Sequence, residues 1–169
     1  ALNLVDIVVT DVDSANTTVT LTLSDVVAGS LSTATSGAVT STFAGGVWTA
    51  SGAVADVNTL LAGVTFNPAL NYNSNFTIAT SVADGVAAAV TGTKVMTGTA
   101  VNDPPTATNL IAAESYIDDT PLNLTDIVVT DVDSANTTVT LTLSDVLAGT
   151  LTTATSGAVT STFVGGVWT

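Results

Sequence analysis

The sequence contains no cysteine and no histidine, and Lys94 is its only basic residue. The missing thiols and imidazoles exclude disulfides, thiol nucleophiles, zinc sites and the usual general base. Because phosphate binding depends on Lys and Arg, a formal net charge of −13 argues against nucleic acid and anionic membrane surfaces as partners. Long apolar runs are missing too, and the strand-sized ones are broken by residues such as Asp11 and Asp84, which argues against membrane insertion.

The residues that are present favour an all-β protein. Apolar residues make up 46% of the chain, and most are Val, Ala and Leu set among Thr, Ser and Gly. In residues 18–24, apolar and polar side chains alternate as they do in a strand with one buried face. Other strands are predicted at residues 4–9, 39–43, 47–49, 64–66, 76–82 and 94–101, with a single helical turn at 57–63. Short strands at this spacing predict an immunoglobulin-like antiparallel sandwich with Greek-key connections.

A long internal repeat organises the chain. Residues 2–49 and 122–169 are identical at 43 of 48 positions, and the period is 120 residues, the size of a whole immunoglobulin-like domain. We therefore expect tandem domains. Residues 1–101 are predicted to be one sandwich without its leading strand, and residues 102–169 to be the first part of the next. The alternative is a split domain built from strands of two successive repeats.

Acidic residues recur at the predicted turns. Thr-Asp-Val-Asp-Ser supplies Asp11 and Asp13 in the first copy, and it supplies Asp131 and Asp133 in the second. Their i, i+2 spacing places both carboxylates on one side of an extended loop. A third position is Asp84, in Val-Ala-Asp-Gly.

The linker adds another polar pair, because Asn102 and Asp103 precede two prolines that keep Asp103 extended. In a Greek-key sandwich these loops and the linker meet at one pole, where converging carboxylates repel one another unless a cation binds. Calcium fits an irregular set of oxygen ligands better than magnesium does. The competing interpretation is that Asp-x-Asp and Asp-Gly are solvated turns without a metal.

Together these motifs resemble a known family. Val-Asn-Asp-Pro-Pro, Asp-Val-Asp and Ala-Asp-Gly are similar to the calcium motifs of cadherin-like domains. The wider pattern, which covers the whole chain, resembles the extender repeats of giant bacterial RTX adhesins of the Legionella type. The resemblance implies Asp11, Asp13 and Asp84 as calcium ligands in one site, and Asn102, Asp103, Asp131 and Asp133 in the next. It also assigns Glu114 and Asp118 or Asp119 to the far pole of the domain.

The same resemblance implies a structural role. It implies type I secretion, folding on calcium outside the cell, and a stalk at the bacterial cell surface. The partners would be neighbouring repeats of the same chain, while other domains would bind the host or surface ligand. The alternative is that the sandwich itself binds a glycan or a protein. A pair of carboxylates could in principle act as the catalytic pair of a glycosidase. We do not expect an enzyme, however, because the sequence predicts no cleft around such a pair.

Overall fold

A computed structural model describes residues 2–4 and 7–169. The chain divides into two compact units, Ala1–Val101 (unit 1) and Asn102–Thr169 (unit 2). Both are built of short antiparallel strands, and one helix lies in unit 1 among the residues that the structure describes. The chain is therefore all-β in its main architecture. Within the described ranges, no helix has the length and apolar character needed to cross a bilayer.

Unit 1 has two larger sheets and a small hairpin. Its elements are, in chain order, β1 (Leu2–Asn3), β2 (Asn16–Leu23), β3 (Gly29–Leu31), β4 (Thr35–Ser36), β5 (Val39–Thr40), β6 (Thr42–Ala44), β7 (Val47–Ala53), α1 (Val54–Gly63), β8 (Thr65–Pro68), β9 (Phe76–Ala83) and β10 (Val90–Met96). A five-stranded sheet has the order β10-β9-β2-β7-β6, a three-stranded sheet has the order β1-β8-β3, and β4 pairs with β5.

Alternation in β2 explains how the core of unit 1 forms. Val19, Leu21 and Leu23 are buried, whereas the threonines between them face outward, as the sequence predicts. One hydrophobic core joins these residues to others from both sheets and from α1. Trp48 is fully buried in it, and its indole N–H donates to the Ser32 carbonyl oxygen at 3.0 Å. Trp48 is therefore a core residue whose polar N–H is satisfied inside the domain.

The helix is longer than the predicted turn. It runs over ten residues, and Val57, Leu60 and Leu61 form its buried face at the i, i+3, i+4 spacing of an amphipathic helix. Asp56 lies in the first turn, where its charge stabilises the helix dipole. The sequence predicted that the helical segment begins at residue 57, so it missed the first turn of α1. Val54 has no local helix-start signal, and its N–H donates to the carbonyl oxygen of the distant Ala15.

Three predicted strands differ from the structure. The one at residues 39–43 is divided into β5, which pairs with β4, and β6, which pairs with β7. The one at residues 4–9 is absent at Leu4 and at residues 7–9, and positions 5 and 6 lie outside the described residues. Val9 is held by the side chain of Asn58, which replaces a strand partner. The strand predicted at 94–101 is observed at Val90–Met96, because its register follows β9, with Val90 opposite Val82 and Met96 opposite Phe76.

Unit 2 contains only short strands. They are β11 (Thr106–Ala107), β12 (Val129–Thr130), β13 (Leu141–Thr142), β14 (Thr155–Ser156), β15 (Val159–Thr160), β16 (Phe163–Val164) and β17 (Val167–Trp168). β11 pairs with β12, β14 pairs with β15, and a three-stranded sheet has the order β13-β17-β16. Leu141 lies opposite Trp168, as Leu21 lies opposite Trp48 in unit 1.

Candidate metal centre

Strand pairing in unit 1 brings its predicted acidic residues together. β2 and β9 are antiparallel neighbours with Thr18 opposite Ala83. The loop that enters β2 therefore adjoins the turn that leaves β9. Asp11 and Asp13 lie in that loop, and Asp84 directly follows β9. One oxygen of each of these three side chains lies within 4.8 Å of the others.

Backbone hydrogen bonds fix the Asp11 carboxylate. Its Oδ1 accepts from the N–H of Ser14 at 2.8 Å and from the N–H of Asp13 at 3.1 Å. This is an Asx-type turn, which orients the carboxylate without help from the rest of the fold. These N–H groups hold the pKa of Asp11 below its ordinary value.

Asp84 is oriented in the same way. Its Oδ1 accepts from the N–H of Val86 at 3.0 Å and from the N–H of Ala87 at 2.9 Å, and these bonds lower its pKa. Its Oδ2 accepts from the hydroxyl of Ser14 at 3.3 Å. Ser14 thus joins the two loops, a role that sequence reasoning missed although Ser14 directly follows Asp13.

Asp13 is the carboxylate of the three whose ionised form is destabilised by its neighbours. A hydrogen bond shared with the Asp11 carboxylate, reinforced by the charge of Asp11, raises the pKa of Asp13. The Asp13 side chain is exposed, while Asp11 and Asp84 are half-buried. A divalent cation at this point would stabilise the ionised form of all three carboxylates.

Asn58 holds the backbone that leads into the site, a role that sequence reasoning also missed. Its Nδ2 donates to the Val9 carbonyl oxygen, and its Oδ1 accepts the Val9 N–H, both at 2.9 Å. The two bonds fix the backbone two residues before Asp11. No local pattern could reveal them, because residues 9 and 58 are 49 positions apart.

In unit 2 the predicted residues come together only in part. Asp131 Oδ1 accepts from the N–H of Asp133 at 2.9 Å and of Ser134 at 2.8 Å, which repeats the turn at Asp11. The linker reaches this loop, since the Asp103 N–H donates to Asp133 Oδ2. Asn102 donates to the Asp103 carbonyl oxygen. Among residues 2–4 and 7–169, the unit 1 cluster is nevertheless the one group of three acidic side chains with ligand atoms this close.

Comparison with known proteins identifies no relative of this chain. No family model, no curated protein and no solved structure matches the chain. The resemblance to cadherin-like domains and to RTX adhesin repeats therefore stays a prediction from the motifs.

Proposed function

We propose that the chain is a structural extender, or stalk, module of a secreted bacterial surface adhesin, and that calcium folds and stiffens it. The observation that carries the proposal is the meeting of Asp11, Asp13 and Asp84, whose ligand atoms lie within 4.8 Å of one another although Asp84 is far along the chain. Three carboxylates form an all-oxygen set, which is the donor chemistry that calcium takes.

The internal repeat supports the structural part of this proposal. The Asx-type turn at Asp11 recurs at Asp131 with the same donors, 120 residues later. A module that is copied almost unchanged suits a spacer, in which length comes from repetition. In unit 2 the linker residue Asp103 contacts the aspartate loop, so a cation held there would tie the linker to the domain that follows it.

With a net charge of −13, the chain would depend on calcium to fold, so calcium would control where folding occurs. At the low calcium level of a cytosol, the carboxylates would repel one another and the chain would fold poorly. Outside the cell, calcium at roughly 10⁻³ M would fill sites whose affinity in extracellular modules is about 10⁻⁴ to 10⁻³ M. Folding and stiffening would then follow export, and the immunoglobulin-like Greek-key arrangement would form as the sites fill.

Melting and solution scattering test this function together. We expect the 169-residue chain to melt at a higher temperature, and to scatter as a more extended and less variable particle, in about 2 mM calcium than in chelator. Magnesium at equal concentration should have a smaller effect. Asp126→Asn, which removes one charge from an exposed position in unit 2 that is not a proposed ligand, should respond to calcium as the unmodified chain does. Identical melting and scattering in calcium and chelator would refute the proposal.

A further inference from the structure

The start of α1 contacts both ends of the acidic loop of unit 1, which is formed by residues 10–14. Before the loop, the Asn58 side chain makes two hydrogen bonds with the backbone of Val9, both at 2.9 Å. After the loop, the Val54 N–H donates to the Ala15 carbonyl oxygen at 3.0 Å. Two of the three clustered carboxylates therefore lie on a loop whose ends are both held by one helix.

The helix sets the distance between the two points that hold the acidic loop. Val54 and Asn58 are four residues apart, so they lie on the same face of α1, about 6 Å apart along its axis. A loop with fixed ends has fewer conformations than a free one. The bonds to the Asp11 carboxylate orient that side chain within the loop, whereas α1 determines where the loop itself lies in unit 1.

α1 is in turn fixed by the rest of unit 1. Val57, Leu60 and Leu61 are at most 4% exposed and belong to the hydrophobic core. Asp56 Oδ1 accepts the Ser36 hydroxyl at 3.1 Å, which joins the helix to β4. The acidic loop is thus connected, through α1, to side chains that lie in the core.

The contact with Asn58 is compatible with a neighbouring strand before the acidic loop. In unit 2 the corresponding segment pairs with β11, and the Thr108 N–H donates to the Val128 carbonyl oxygen at 3.0 Å. In an antiparallel pair the next residue points its N–H and carbonyl groups to the opposite side, so those of Val129 face away from β11. Val129 is the counterpart of Val9. A strand paired in the same way in unit 1 would leave the Val9 groups to Asn58.

We propose that Asn58 is a positioning residue for the cation site of unit 1, and that α1 couples occupancy of this site to the packing of the core. The inference rests on the proposed calcium function, because it concerns the same three carboxylates. Asn58 acts through the Val9 backbone, two residues before Asp11. Without this contact the loop gains conformational freedom that binding must remove, and the affinity for calcium falls. Because linkage is reciprocal, calcium held by the loop also stabilises α1.

A residue-resolved calcium titration of the 169-residue chain by NMR tests this role. In Asn58→Ala we expect the midpoint of the amide shifts of Ser14 and Asp84 to rise about tenfold, although all three carboxylates remain. The titrations of the Asp103 and Ser134 amides in unit 2 should not change, which makes them an internal control. In the unmodified chain, the side-chain amide of Asn58 should shift with the same midpoint as Ser14.

Further variants separate positioning from loss of stability. Leu31→Ala removes a side chain that is 3% exposed on β3, so it destabilises unit 1, but it should leave the midpoint unchanged while the chain is folded. Thr59→Ala, which removes a hydroxyl bonded to the Ala55 carbonyl oxygen, should also leave it unchanged. Asn58→Gln, which displaces the amide by one methylene, should raise the midpoint and replaces the alanine variant if that chain does not fold.

The outcomes distinguish this inference from the calcium function itself. If the unmodified chain responds to calcium and the Asn58 variants respond with the same midpoint, Asn58 has no positioning role. The same holds if Leu31→Ala raises the midpoint as much as Asn58→Ala does, because the affinity would then follow general stability. If calcium moves no amide of the acidic loop in the unmodified chain, the calcium function fails and the inference fails with it.

Discussion

Residues 2–49 and 122–169 are nearly the same sequence in two different settings. In unit 1 this sequence forms the eight-residue strand β2 and contributes Trp48 to a closed core. In unit 2 it forms two-residue strands and leaves most of the same apolar side chains exposed or half-buried. Because the local sequence is almost constant, the difference shows that residues 50–101 determine both the length of the strands and the burial of the core.

Features set by short-range bonds are the same in both copies. The Asx-type turns at Asp11 and Asp131 have the same donors, and the indole N–H of each tryptophan reaches the residue sixteen positions before it. The segment before the aspartate loop differs, since Val9 bonds the Asn58 side chain whereas Val129 pairs with Ala107 in a strand. Local geometry is therefore encoded within the repeat, and the rest depends on distant residues.

The largest effect is expected from truncating one leucine in each copy. Leu21→Ala removes a fully enclosed side chain and should lower the free energy of unfolding of unit 1 by about 2–5 kcal/mol. Leu141→Ala, at a half-buried position, should cost less than about 1 kcal/mol. Urea unfolding followed by circular dichroism measures both. Equal losses would mean that the two copies are packed alike.

Loss of the Asn58 amide should destabilise unit 1 by a smaller amount. Asn58→Ala leaves the Val9 N–H and carbonyl oxygen without their partner, which should cost about 1–3 kcal/mol. Thr59→Ala is the matched control, because the Thr59 hydroxyl bonds only within the helix, to the Ala55 carbonyl oxygen. Thermal melting compares them, and a Thr59→Ala effect as large as that of Asn58→Ala would contradict the positioning role.

Asp13→Asn should change the melting temperature with opposite signs in two buffers. In chelator the variant should melt slightly higher, because the Asp11 carboxylate, through its hydrogen bond with Asp13 and then through its charge, raises the pKa of Asp13 and so disfavours the ionised form that Asn cannot adopt. In calcium it should melt lower, by on the order of 5 °C, because a ligand is lost. Asp133→Asn gives the matched comparison in unit 2, where fewer carboxylates meet. The same sign of change in both buffers would count against a cation site at Asp13.

The smallest effect concerns one of the five positions at which the copies differ. Thr125, which replaces Val5, donates its N–H to Glu114 Oε1 at 2.7 Å. The Thr125 hydroxyl, followed by this N–H, holds the pKa of Glu114 below its ordinary value of 4.5. A lowered folded-state pKa means that this contribution to the stability of unit 2 is present above the unfolded value and is lost as pH falls toward the folded one.

Thr125→Val, which installs the residue of the first copy, should raise the pKa of Glu114 toward 4.5 and weaken this acid sensitivity. An NMR titration of the Glu114 carboxyl carbon measures the shift. Thr120→Val is the control, because the Thr120 hydroxyl bonds the Asp118 carbonyl oxygen instead. A Glu114 pKa unchanged by Thr125→Val would contradict the assigned cause.

These contrasts also separate the structural features that the sequence alone predicts from those that it does not. The alternation of apolar and polar residues predicted β2 and its buried face, because a half-buried strand has a two-residue period that is visible in the sequence. The Asp-Val-Asp loop and Asp84 were predicted as one cluster, because a Greek-key sandwich would bring such loops to one pole and because the motifs resemble those of cadherin-like domains. The ten-residue length of α1 and the roles of Ser14 and Asn58 depend on contacts with residues far along the chain, which no local pattern contains.

The most direct test of the central claim is a residue-resolved calcium titration by NMR. Amide shifts of Ser14, Asp84 and Gly85 should move in a saturable way, with an affinity of about 10⁻⁴ to 10⁻³ M. The amides of Asp103 and Ser134 should follow at higher calcium, because fewer carboxylates meet in unit 2. Magnesium at matched ionic strength should shift them less. If calcium moves these amides no more than magnesium does, or moves amides across the chain without preference for the two loops, the proposed calcium sites do not exist.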